Sequence, residues 1–199
     1  PGKLQSMLEM FVSTFKSLTY EVLPEKLAKK YTPMIATLFI FILLSNWFGI
    51  LPPIFQFIYI VLNWLHLPGI DWLASMPIFE EPTKFLSTPL AMALMVFVLV
   101  QYEAIKHKGI GGYLKSFTEP VFLFAPINII GELAKVVSHS FRLFGNILGG
   151  AIIVIIISSL LKFLILPPFL NAFFGLFSGS IQAFVFTMLA VTYIAVAID

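Results

Sequence analysis

The sequence contains no cysteine, so disulfides, thiolate metal sites and cysteine nucleophiles are excluded. Charge is scarce as well. Only 11% of the 199 residues are Asp, Glu, Lys or Arg, where a soluble domain carries about a quarter. The net charge of +2 is too small to suggest a nucleic-acid partner. The three histidines are scattered, and neither H-E-x-x-H nor G-x-S-x-G occurs, which leaves no metal cluster or nucleophile–base pair for an intramembrane enzyme. KGIGG lacks the G-K-[ST] ending of a phosphate loop. No internal repeat is visible, so an inverted-repeat transporter has no support. There is one arginine in the whole chain, Arg142.

What remains is apolar. Hydrophobic residues make up 59% of the chain, and several runs reach the ~20 residues that a spanning helix needs. The short alternating strands of a barrel are absent. The expected fold is an all-α polytopic membrane protein with about four membrane-embedded helices plus interfacial helices. Residues 1–199 are expected to form one membrane domain.

Within it, residues 1–32 are amphipathic, with five lysines against three glutamates and Leu8, Phe11, Val12, Phe15 and Leu18 at helical spacing. That pattern predicts an interfacial segment. Residues 33–105 form a helical hairpin. Pro33 opens its first span, Pro89–Ile105 is its second, and the apolar run at 54–67 is too short to span and reads as re-entrant. Residues 106–125 are a polar connector, and 126–199 a long, tilted helical hairpin. Basic residues cluster in 1–32 and 106–115, which places both on the cytoplasmic side and residues 66–86 outside.

The run from Pro126 to Leu166 would be about 60 Å long as one helix, twice the hydrocarbon thickness. On it, Glu132, Lys135, His139, Arg142 and Asn146 fall within an arc of about 80° and make one polar stripe. A guanidinium keeps its proton in proteins, and placing one at membrane depth costs from about 3 to over 10 kcal/mol. It needs an anion. Lys135, three residues from Glu132, is the nearer mate for that carboxylate. Glu103, Glu119 and Asp199 belong at the cytoplasmic edge, and Asp71, Glu80 and Glu81 at the outer one. The carboxylate that answers Arg142 is therefore expected from another polypeptide. Three residues keep open alternatives at this stage, among them Gln182, which reads equally as an interhelical hydrogen bond or a functional group. Lys135 reads as snorkelling to the interface, and His139 reads equally as a neutral filler or a proton relay. Gly145, Gly149 and Gly150 remove bulk beside the stripe and would let a neighbouring helix approach closely. Gln182 lies in the apolar middle of the last helix.

SHSFRLFGN, with PGKLQSMLEMF, KGIGGYLKSFTEP, FAPINIIGELAK and IQAFVFTMLAVTYI in order along the chain, resembles subunit a of the F-type ATP synthases. The resemblance implies a non-catalytic stator subunit that holds two half-channels against a rotating ring of c subunits. It also implies a b-subunit peripheral stalk and other ATP synthase subunits as partners. No bound cofactor or metal is implied, and the translocated ion is H+ or Na+. The setting is a bacterial inner membrane, or else the inner membrane of an organelle. Arg142 takes the place of the family's essential arginine, Asn146 and Gln182 match polar positions beside it, and Glu132 matches an acidic position on the cytoplasmic access path. His139 has no counterpart in most members. Where some members carry a Glu after RLFGN and a His before the Gln, this chain has Ala151 and Gly175, and Phe85 replaces a loop acid. The outer half-channel would then draw on Ser178, Asn171 or Ser87. A further spanning helix that precedes the GKLQ-like segment in the family is expected to be missing. The reading that competes with all this is a self-contained secondary transporter or channel.

Overall fold

A computed structural model describes residues 2–66, 72, 82–119, 121–161 and 166–198. Among these residues the chain is all helical. The elements are α1 (Lys3–Val22), α2 (Glu25–Phe48), α3 (Leu51–Trp64), α4 (Ser87–Thr118), α5 (Ala125–Leu161), α6 (Leu166–Ala172) and α7 (Gly179–Ile198). Short 3-10 turns occupy Pro82–Lys84 and Phe122–Phe124, and a π-helical turn at Phe173–Ser178 joins α6 to α7. Among the described residues, four segments are long and apolar enough to cross a bilayer: Glu25–Phe48, Ser87–Thr118, Phe122–Leu160 and Phe169–Ile198. The 14 residues of α3 give about 21 Å, short of a ~30 Å hydrocarbon core. Asp71, Glu80 and Glu81, expected in the outer loop, lie outside the described residues.

The chain packs as two compact units. One comprises Pro1–Ile40, Leu90–Ser140 and Phe184–Asp199, the other Phe41–Pro89 and Phe141–Ala183. In the first, α1 turns Phe15 and Thr19 inward and leaves Leu4, Met7, Leu8 and Met10 exposed. Phe15 stacks between Phe11 and Phe39, 4.8 Å from each ring centroid. The hydroxyls of Thr19 and Thr32 share a hydrogen bond of 2.5 Å. This packing explains why the helix expected to open at Pro33 begins at Glu25. Ala28 and Tyr31 are buried, and tertiary contacts carry the helix through a proline that on its own would disfavour it. α4 likewise runs beyond Ile105, with a break at Gly109, where φ is +71°. Side-chain-bearing residues adopt that backbone only with strain.

The first unit also holds a buried ion pair that the sequence placed at the cytoplasmic edge. The Glu103 side chain is fully enclosed, while Lys30, its partner at 2.5 Å, is 46% exposed. The Tyr31 hydroxyl donates to the same carboxylate oxygen, and His107 Nε2 stands 3.6 Å from the other. Lys30→Met would strand a buried anion, and its expected cost is about 3 kcal/mol. Glu103→Gln keeps the volume and leaves an ammonium that reaches solvent, so about 1 kcal/mol is expected. Thermal loss of the assembled complex measures both. A larger drop for Glu103→Gln than for Lys30→Met would contradict this arrangement.

Candidate functional site

The polar residues of α5 are held in two different ways. In the first unit, Glu132 forms an ion pair with Lys135 one turn on, as i,i+3 spacing allows. Its other oxygen accepts from Gln101 Nε2 at 3.1 Å, and Gln101 Oε1 accepts from the Tyr113 hydroxyl at 2.6 Å. Lys135 is thus paired, and its ammonium also lies 5.8 Å from the Tyr193 ring centroid. Glu132, Lys135, Gln101 and Tyr113 line a cavity of about 530 Å³, together with Lys108 and Glu119. That is ample for a file of waters with polar partners. A second, water-sized cavity of about 10 Å³ is lined by Glu132, Lys135 and His139. His139 is buried, its ring 3.7 Å from Phe186 and 5.6 Å from Tyr193.

In the second unit, Arg142 is exposed. Among the described residues it makes no ion pair and no hydrogen bond. The three glycines after it divide. A Cβ on Gly145 or Gly149 would meet nothing within 4 Å, whereas one on Gly150 would stand 3.1 Å from Phe174. Gly145 and Gly149 therefore open onto space outside the chain, and Gly150 serves packing within it. Asn146 accepts at Oδ1 a 2.6 Å hydrogen bond from the Ser178 hydroxyl, across to the π-helical turn. Such turns leave the regular ladder and recur at functional sites. Gln182 is buried, and its amide nitrogen has no hydrogen-bond partner among the described residues.

Sequence reasoning missed three groups. Asn46 is buried and donates to the Gly179 carbonyl at 3.0 Å while accepting from Thr83 at 2.9 Å. Gly175 and Gly179 make this contact possible, since a Cβ on either would fall within 3 Å of Ile50 or Asn46. At Gly175 the Ile50 side chain fills the space a Cβ would take. The other two groups are Gln101 and Tyr113. Their partners lie on other helices or across the Gly109 break, so no local pattern marks them. Asn171 is half-buried and Ser87 exposed, and neither shows a side-chain contact that defines a path.

The family model described as ATP synthase A chain matches residues 1–195. The chain belongs to the ATP synthase A chain family. ATP synthase subunit a of Moorella thermoacetica is 38% identical over 195 residues, which cover 98% of this chain and 77% of that protein. Subunit a of Acidothermus cellulolyticus is 35% identical over 198 residues, 99% of this chain and 66% of that protein. ATP synthase subunit a 1 of Chlorobaculum parvum is 36% identical over 196 residues, 98% and 74% respectively. As an ATP synthase A chain with four candidate spans, the protein is a multi-pass membrane subunit of the enzyme and not a catalytic one. The long apolar helix that bears the only arginine is thus an A-chain helix.

Proposed function

We propose that this subunit is the ion-translocating stator of a rotary ATP synthase, in which two half-channels load and unload the carboxylates of a c-subunit ring past Arg142. The observation that carries the reading is the state of Arg142: a permanent cation, exposed on a helix of spanning length, unpaired within the described chain and flanked by two glycines that face open space. A ring carboxylate must shed its ion to meet that cation and must be neutralised before it enters lipid. A fixed positive charge favours the ionised form at that one place. The driving force is about 2.3 kcal/mol per charge per 100 mV.

Glu132, with the large cavity beside it, is the cytoplasmic access path in this reading, and His139, on the smaller cavity, is its inner stop. Asn146, Ser178, Gln182, Asn46 and Thr83 supply neutral polar groups for the outer path, which suits a chain that has Ala151 and Gly175 at the two places where other members are ionisable. Gly145 and Gly149 allow the ring helix to approach, and Gly150 seats Phe174. The translocated ion is H+ or Na+, taken as cargo, and no resident cofactor is required. The partners are the c ring, a b-subunit stalk and the remaining synthase subunits. The setting is a bacterial inner membrane, and residues 1–199 act as one membrane domain, its first 32 residues on the cytoplasmic surface. Replacing Arg142 tests the reading: coupled synthesis is expected to disappear, and a variant that makes ATP normally from an ion gradient would refute it.

A further inference from the structure

We propose that Gln101 and Tyr113 are positioning residues that aim the Glu132 carboxylate into the large cavity. This rests on reading Glu132 as part of the cytoplasmic access path. The donor sequence is chemically determined from both ends. An ionised carboxylate only accepts, so Gln101 must turn its amide nitrogen toward Glu132 Oε2, at 3.1 Å. The Tyr113 hydroxyl donates to the amide oxygen at 2.6 Å and fixes the same orientation from the far side. Without that hydroxyl the amide is free to turn its oxygen toward the carboxylate, a repulsive contact. Tyr113 reaches Gln101 because the backbone breaks at Gly109, which brings two residues of one helix together although they are twelve positions apart.

The charged groups around the carboxylate are few. Lys135 on its own helix holds Oε1, and Lys108 and Glu119 share the cavity wall. Lys135 sits on the same helix face as Glu132 and pulls the carboxylate along that helix. Gln101 is the group that draws it across toward α4 and the cavity. Gln101, Tyr113 and Glu132 are all half-buried. Hydrogen bonds at such a water-reachable wall add little to stability, yet they decide where a carboxylate points, and so which waters it can exchange an ion with.

The test uses the complete ATP synthase in liposomes, with the initial rate of ATP-driven ion uptake measured per assembled complex. Glu132→Gln is expected to lower uptake at least about tenfold. Gln101→Leu is expected to lower it about tenfold, and Tyr113→Phe about threefold, the scale of one lost hydrogen bond to a charged group and of one lost orienting bond. Tyr113→Phe removes a single oxygen and no packing volume, so it carries the test without risk to the fold. The decisive arm is the exchange Gln101→Glu with Glu132→Gln. It restores one carboxylate and one amide in the same pair, and uptake is expected to return to within about threefold of the parent. A purely structural Gln101 would give no such rescue. Parental uptake in Gln101→Leu and Tyr113→Phe, or an exchange no better than Glu132→Gln alone, overturns the positioning role while leaving the access path standing. Parental uptake in Glu132→Gln removes the access path itself.

Discussion

An Arg142→Ala complex is expected to make no ATP from an ion gradient. The size of the effect follows from the charge it removes. Two unit charges about 4 Å apart interact by about 4 kcal/mol at the effective dielectric of a protein boundary, which is close to a thousandfold in rate. On the proposed reading, alanine there would leave a ring carboxylate no place in the membrane where its ionised form is favoured, and rotation is expected to stall at that step. On the same reading the change would remove the positive barrier between the proposed half-channels, so passive ion leak is expected to rise while synthesis falls. Arg142→Lys keeps a charge and loses the planar, weakly hydrated fork, so it is expected to recover only a small fraction of the activity. Assembled yield of the complex serves as the control and is expected to be unchanged.

Gly149→Leu is expected to lower coupled synthesis at least tenfold without loosening the subunit. No atom of the described chain approaches a Cβ at this position within 4 Å. Leucine is also favoured over glycine in a helix interior by about 0.8–1 kcal/mol. The subunit by itself should be as stable as before, or slightly more so. The loss is expected from the proposed partner: a side chain where two backbones meet would force them apart, at a cost of about 1–3 kcal/mol, and would move the ring carboxylate away from Arg142. Gly150→Leu, one residue on, should behave in the opposite way. Its side chain drives into Phe174, so the complex is expected to assemble poorly. The pair is read by comparing assembled yield with synthesis per assembled complex. Equal yield loss from both substitutions would contradict the division of the glycines into an outer and an inner set.

The helices were legible because membrane spans are written in composition: long apolar runs, prolines and lysine clusters mark α2, α4, α5 and α7, although α2 begins at Glu25 and α4 runs on to Thr118. Where boundaries moved, as at Glu25 against Pro33, burial of Ala28 and Tyr31 outweighed the local cost of proline. The polar stripe on α5 was equally plain, since helical period and the cost of a buried charge both single it out. The Glu132–Lys135 pair followed from spacing alone. Long-range pairs did not. Lys30 and Glu103 lie 73 residues apart, and Glu103 stands among residues that read as a membrane edge. Asn46 carried no sign that Gly179 had been kept small to receive it. Gln101 and Tyr113 looked like ordinary polar residues near a helix end until the break at Gly109 brought them together.

The most direct measurement of the central claim is a disulfide between this chain and the ring. The subunit has no cysteine of its own, so Leu148→Cys, on an exposed position of the Arg142 helix, is a unique thiol. Paired with a cysteine next to the ring carboxylate, it can bridge only if the two Cα atoms come within about 7 Å. The account predicts a crosslinked product of this subunit with a c subunit that locks rotation and is released by reductant. Absence of that product at Leu148 and at the neighbouring exposed positions Phe141 and Ile152, in a complex that still synthesises ATP, would contradict it.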